Sequence, residues 1–252
     1  MATTATITIV VRAGTIMTSE QYTFPRLAFL RLQSWLSPAF PSGSYSYSHG
    51  IEWAVEEGHI DDRETLIDWL KSDLHYGSGR NEAIFLIEAW RSATQDDLAK
   101  LFEIAELAAA FRGTSEFALE SSQQAAACLA TLRQVWPHRL LDSLSEILRE
   151  HGVPPALAVV HGVACAAQGI PADLALPAFL QSCVANLVTA AVRLIPLGQT
   201  DGQRAIAALE EAVLDTADEV FTATIDDLGS AAFMVDLASM RHETQYTRLF
   251  RS

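Results

Sequence analysis

Apolar residues recur every three or four positions from Leu27 almost to the C-terminus, and this spacing constrains the fold more than any other feature. In one stretch, Leu66, Trp69, Leu70 and Leu74 lie at positions i, i+3, i+4 and i+8, which places them on one face of a helix. Prolines and glycines interrupt the pattern where helices would end. These segments predict an all-α fold, a single compact bundle of about ten helices.

Residues that favour the first turn of a helix predict where several of these helices begin. The predicted starts are Asp61 with Glu64 as a capping box, Asp96 or Asp97, Pro154, Pro171 or Pro177, and Asp201. The last helix is predicted over roughly residues 227–239.

Residues 1–24 stand apart from the helical pattern. They contain one strand-like run of β-branched residues at positions 6–11, and no second strand is available to pair with it. A lone strand is unstable, so we predict a flexible N-terminal extension, or a natural start at Met17. Residues 25–252 are predicted to form a single all-helical domain that ends in a partner-binding tail at about residues 240–252.

The charge of the chain argues against two classes of partner. Seventeen Lys and Arg against 31 Asp and Glu leave a net charge of −14, which repels nucleic acid and anionic membrane surfaces. The most apolar stretch, residues 179–197, is interrupted by Gln181, Asn186, Arg193 and Pro196, so no membrane span is expected. Three widely spaced cysteines in apolar segments indicate buried thiols in a reducing compartment. We therefore predict a cytoplasmic protein.

Known catalytic motifs are missing from the sequence. There is neither a phosphate-binding GxxxxGK[ST] loop nor a GxSxG nucleophile elbow. His242 and Glu243 begin an HExxH pattern, but Tyr246 stands where the second histidine should be. We predict a non-enzymatic protein with no catalytic residue, cofactor or resident metal. The alternative is a helical metal-dependent hydrolase, which the seven histidines and abundant acids would allow.

Three segments are unusual in composition. They are SPAFPSGSYSYSHG at residues 37–50, RLIPLGQTDGQR at residues 193–204, and MRHETQYTRLFRS at residues 240–252. Each has a purely structural interpretation: a rigid turn whose tyrosines pack on the core, a polar helix joint, and a frayed end. The tail is cationic and aromatic on an acidic chain, so it could fold back on the body or reach another protein.

These segments resemble the UreF family of urease accessory proteins, whose patterns are SPxxPxGxYSxSxGLE, RLxPxGQxxGQ and xRHExQYSRLFRS. The resemblance extends from about Leu27 to the C-terminus, and the tail is its most specific part. The sequence departs from the family at Ile51, where leucine is usual, at Thr247, where serine is usual, and at Asn81, where aspartate is common.

The resemblance implies a homodimeric, all-α scaffold without enzymatic activity. Such a scaffold pairs with a β-rich accessory protein, UreD (also called UreH), recruits the GTP-hydrolysing nickel carrier UreG, and docks on apo-urease. It modulates the GTPase during nickel insertion, and nickel cations pass through the assembly.

The resemblance also implies which residues contact partners. Tyr45 and Arg248 are linked to recruitment of the GTPase, and the tail from His242 onward to ordering upon binding UreD/UreH. The predicted partner-binding residues are Tyr45, Arg241, His242, Glu243, Tyr246, Arg248, Leu249, Phe250 and Arg251.

Overall fold

The computed structural model describes residues 26–252, so the strand-like run at residues 6–11 lies outside the described part of the chain. Within that part there are eleven α-helices and no strand, which confirms the all-α prediction. The helices are α1 Arg26–Trp35, α2 Ile51–Glu56, α3 Arg63–Tyr76, α4 Ser78–Thr94, α5 Leu98–Ala110, α6 Ser115–Val135, α7 Arg139–His151, α8 Leu157–Ala167, α9 Ala172–Leu194, α10 Gln199–Val220 and α11 Phe233–His242. Short 3-10 helices span Ser44–Ser46 and Ile225–Asp227.

Helices α4 and α8 form the centre of the core. They pack on each other more extensively than any other pair of helices described, and α8 is buried continuously from Ala158 to Cys165. Gly162 allows this close approach, because a Cβ atom there would collide with the carbonyl oxygen of Leu86 and lie 3.1 Å from the backbone nitrogen of Trp90. Six helices, α3, α5, α6, α7, α9 and α10, pack directly against one or both members of this pair.

The structure corrects several predicted helix starts. Asp62, not Asp61, caps α3. The Asp62 carboxylate accepts from the backbone N–H of Thr65 at 2.8 Å, and the Thr65 hydroxyl accepts from the backbone N–H of Asp62. Of the two candidates for α5, Asp97 is the cap. Pro154 lies outside α8 because Pro155 follows it, and a residue before proline disfavours helical geometry.

The starts of three further helices can be compared with the prediction. Pro171 occupies the N-cap of α9, whereas Pro177 lies inside that helix. Asp201 lies in the first turn of α10 rather than at its cap, which is Gly198, and its carboxylate pairs with Arg204 at 2.8 Å. The last helix begins at Phe233, later than predicted, because Thr224 and Asp227 first cap a separate 3-10 turn.

Helix α9 is the only described helix long and apolar enough to cross a membrane. Of its most apolar window, 44% is already buried inside the protein, where α9 packs against α10, α4 and α2. Core helices of globular proteins pass the same length and composition test, so the feature is weak evidence for a span.

Cysteine burial agrees with the sequence. Cys128 and Cys165 are buried, Cys183 is half-buried, and all three are free thiols. Burial raises the pKa of both Cys128 and Cys165 to about 12, so these thiols stay protonated near neutral pH.

Candidate protein-docking surface

The turn that follows α1 contains two tyrosines, one exposed to solvent and one buried. Gly43 adopts a left-handed conformation with φ of 77° and starts the 3-10 helix that carries Tyr45. The Tyr45 side chain is 70% exposed, whereas Tyr47 is buried and donates from its hydroxyl to Gln123 at 2.6 Å. The structural interpretation of the turn therefore holds for Tyr47, and Tyr45 faces solvent.

Helix α9 holds the backbone beneath the exposed tyrosine. The Arg193 guanidinium donates to the carbonyl oxygen of Tyr45 at 3.0 Å, and the Asn186 amide donates to that of Ser44 at 3.2 Å. Arg193 also stands over the ring of buried Phe250, 4.4 Å from its centroid, in a cation–π contact. One arginine of the second unusual segment thus contacts both of the others. The remainder of that segment connects α9 to α10 and forms the start of α10.

The part of the C-terminal tail that follows α11, residues 243–252, folds back on the body. The backbone N–H groups of Leu249 and Phe250 donate to the Glu52 carboxylate at 2.5 and 2.8 Å. The N–H of Arg251 then donates to the carbonyl of Ser46 at 2.8 Å, and the N–H of Ser48 donates to that of Ser252 at 2.7 Å. The tail therefore lies beside the turn that displays Tyr45.

His242 is completely buried between two carboxylates. Its Nδ1 lies 2.7 Å from Glu116 and its Nε2 lies 3.1 Å from Glu52. Both ring nitrogens therefore lie within hydrogen-bond distance of a carboxylate oxygen. The other oxygen of Glu116 accepts from the Arg248 guanidinium at 2.8 Å. Burial raises the pKa of Glu116, and the neighbouring His242 and Arg248 act in the opposite direction.

The predicted partner-binding residues divide into two groups. Those exposed to solvent are Tyr45, Arg241, Glu243, Tyr246, Arg248, Leu249 and Arg251. His242 and Phe250 lie in the interior, where they anchor the last helix and the tail. Sequence reasoning missed Glu52 and Glu116. Glu52 is the last residue of the pattern SPxxPxGxYSxSxGLE. However, nothing in the sequence indicates that its carboxylate contacts a segment almost 200 residues away.

A cavity of about 570 Å³ lies behind the turn and is lined by His49, Asp73, Glu82 and Glu120, among others. His49 stacks on Phe117, and its Nε2 and Nδ1 lie 2.7 Å from the Ser78 hydroxyl and 3.2 Å from Glu120. This serine–histidine–acid order resembles a hydrolase triad. However, the Ser78 hydroxyl donates to Asp73 at 2.7 Å, so its proton is not directed at His49.

His49 is expected to make stability depend on pH. Burial lowers its pKa, but the charge and hydrogen bond of Glu120, with the charges of Asp73 and Glu82, outweigh burial and raise the pKa from 6.5 to about 8. Its contribution, at most about 2 kcal/mol, is complete below pH 6.5 and is lost as the pH rises through 8.

Denaturant unfolding of the wild type and of His49→Gln, below pH 6.5 and above pH 8, checks this expectation. The difference in unfolding free energy between the two proteins should shrink at the higher pH. His59→Gln, at an exposed position, serves as the control. A difference that stays constant across the range would contradict the assignment.

Across residues 26–252, no three His, Cys, Asp or Glu side chains are arranged to hold a metal ion. The features that the fold brings together are instead the exposed turn and the docked tail. The fold and the site define an all-helical protein that displays this turn and tail side by side.

Comparisons with known proteins identify the family. The UreF family model matches residues 60–210. The urease accessory protein UreF of Bradyrhizobium diazoefficiens is 51% identical over 225 residues, which cover 89% of this chain and 92% of that protein. Proteins of the same name from Rhodopseudomonas palustris and Granulibacter bethesdensis are each 47% identical and also align with 89% of this chain, covering 92% and 94% of their own lengths. The chain belongs to the UreF family.

Proposed function

We propose that this protein is a maturation factor for urease that acts as a scaffold without enzymatic activity. The names of its relatives support an accessory role in urease maturation. The observation that carries the finer proposal is that the three unusual segments meet, so that exposed Tyr45 lies beside the cationic tail. Exposed aromatic and arginine side chains on a rigid support are the residue types that dominate protein interfaces.

In this proposal the protein works as a homodimer in the cytoplasm. It pairs with UreD/UreH, recruits the GTPase UreG and modulates its GTP hydrolysis, and presents the assembly to apo-urease. Nickel is the cargo of that assembly, and no residue of this chain is assigned as its resident ligand.

Alanine at Tyr45 or at Arg248 is expected to weaken recruitment of the GTPase about tenfold or more, as loss of an interface anchor does. Both side chains are exposed, and the pairing with UreD/UreH is expected to stay largely intact in both variants. Arg248→Lys should also lose binding, because an ammonium group cannot reproduce the planar fork of a guanidinium.

A pull-down with purified UreD/UreH and UreG measures both interactions on the same sample. Thr247→Ala, an exposed change in the same tail, is the matched control. If the Tyr45→Ala and Arg248→Ala proteins both retain the GTPase at wild-type levels, these contacts are wrong.

A further inference from the structure

We infer that His49 is a positioning residue whose ring holds the turn that carries Tyr45 in a pH-dependent way, because the ring makes both of its hydrogen bonds only while both nitrogens carry a proton. The Tyr45 turn is defined here as residues 43–50, which lie between α1 and α2. The role of His49 in holding this turn does not rest on the proposed function, whereas any effect on recruitment through Tyr45 does.

His49 and Gly50 are two consecutive left-handed residues that join the Tyr45 turn to α2, with φ of 57° and 79°. Gly50 is enclosed by α11, because a Cβ atom there would lie 2.8 Å from the backbone nitrogen of Ser239. A left-handed backbone is unfavourable for a residue that has a Cβ atom, so it persists at His49 only where the surroundings hold it. The join between turn and helix therefore depends on what the His49 side chain contacts.

The His49 ring has an acceptor at each nitrogen. Nδ1 lies 3.2 Å from the Glu120 carboxylate, and Nε2 lies 2.7 Å from the Ser78 hydroxyl. The Ser78 hydroxyl donates its one proton to Asp73 at 2.7 Å, so its oxygen can only accept from His49. Only the imidazolium form has two N–H donors, and a neutral ring loses one of the two hydrogen bonds.

The carboxylates around the ring favour its charged form. Burial lowers the pKa of His49, but Glu120 on α6, Asp73 on α3 and Glu82 on α4 outweigh burial and raise the pKa to about 8. The Ser252 hydroxyl also donates to Glu120, at 2.8 Å. As a neutral donor it adds no charge to the cluster.

Further ionisable groups line the same cavity. Glu82 is paired with Arg112. Burial raises the pKa of Asp236 on α11, while the charge of His49 acts in the opposite direction. Burial also raises the pKa of the Cys183 thiol on α9, so this thiol stays protonated near neutral pH. His49 is thus the group of this cluster that we expect to change charge as the pH rises through 8.

The sign of the effect follows from the raised pKa. The two hydrogen bonds of the His49 ring are both present below pH 6.5, and one is lost as the pH rises through 8. The rise of the pKa from 6.5 to about 8 corresponds to at most about a 30-fold change in the equilibrium between the closed and the open turn. The turn should therefore open more readily in alkaline solution.

Hydrogen exchange of the isolated full-length chain, followed by NMR, tests the inference directly. The reporters are the amides of Tyr47 and Ile51, which donate to the carbonyls of Ser44 and Ser48 at 3.1 Å each. Their protection factors, which correct for the intrinsic pH dependence of exchange, should fall by up to about 30-fold from below pH 6.5 to above pH 8. Amides of α4 report global unfolding and should not follow the same change.

The His49→Asn protein is the informative variant. Asparagine tolerates a left-handed backbone and is neutral at every pH, so the protection of the turn should be low throughout and independent of His49 titration. His59→Gln, which removes an exposed histidine, is the matched control and should behave as the wild type.

A second variant gives a readout that a general loss of stability would not move. Glu120→Gln removes the carboxylate that raises the pKa of His49 most, so the transition should move to lower pH. The NMR shifts of the His49 ring protons measure the midpoint of this transition.

Three results would overturn the inference: turn protection that does not change with pH in the wild type, the same pH dependence in His49→Asn, or an unchanged midpoint in Glu120→Gln. If His49→Asn fails to fold, the wild type and Glu120→Gln still decide. Failure of the proposed function looks different, because the turn would respond to pH as expected while the GTPase was not recruited at any pH.

Discussion

Removal of residues 245–252 is expected to abolish co-purification with UreD/UreH while the helical body stays folded. The deletion takes away Tyr246, Arg248 and Leu249, which supply the exposed surface of the tail. It also uncovers the site of Phe250 beneath Arg193. The expected result is complete loss of the complex, because the exposed side chains of Tyr246 and Leu249 are removed together with the rest of residues 245–252.

The position of the cut matters. Retaining His242 keeps a donor between Glu52 and Glu116, whereas a deletion that begins at Arg241 would leave two buried carboxylates without it. Breaking such a cluster costs about 3–5 kcal/mol and would confuse loss of binding with loss of folding.

Co-expression followed by affinity purification measures the complex, and circular dichroism with thermal unfolding measures the body. The Thr247→Ala protein, which changes one exposed residue of the tail without removing the tail, is the control and should still purify with UreD/UreH. A truncated chain that still purifies with UreD/UreH would show that the tail is not the binding element.

Gly162→Ala is expected to destabilise the fold by about 3 kcal/mol, near the upper end for overpacking in a core. The added methyl group would meet the backbone carbonyl oxygen of Leu86 and the Cβ atom of Ala89, 3.1 Å away. A backbone carbonyl cannot rotate aside as a side chain can, so α4 and α8 would have to separate. Since both helices are central, the separation would disturb packing throughout the core.

Denaturant unfolding measures this change directly. Gly113→Ala is the matched control, because a Cβ atom there makes only ordinary contact with Asp236 at 3.5 Å and the backbone is not left-handed. It should change the unfolding free energy by less than about 0.5 kcal/mol. Equal unfolding midpoints for Gly162→Ala and the wild type would refute the close approach of the two helices.

Local patterns predicted the elements well and their starts less well. The stripe at Leu66, Leu70 and Leu74 is buried as its spacing requires, because helical periodicity is encoded within a few residues. A helix cap depends on whether one side chain lies within hydrogen-bond distance of one backbone N–H. Residue type alone therefore cannot show which of two neighbouring aspartates, Asp61 or Asp62, is the cap.

The candidate site, like the helices, was predicted in part from local patterns and in part was not. Composition and motif indicated Tyr45 and the tail, and Tyr45 is indeed exposed on a glycine-dependent turn. Nothing local indicated that His242 would be buried while Tyr246 is fully exposed, since both belong to one short polar segment. Burial is decided by what packs above a residue, and here that is α2 and α6.

By itself, the sequence determined the helical class, the approximate helices and the segments that set this chain apart, because each of these depends on residues close together in the chain. Only the tertiary structure decided that Glu52, Glu116 and Arg193 would receive the tail. Glu52 and Phe250 are separated by 198 positions, and a hydrogen bond across that distance is set by how the helices pack and not by any local preference.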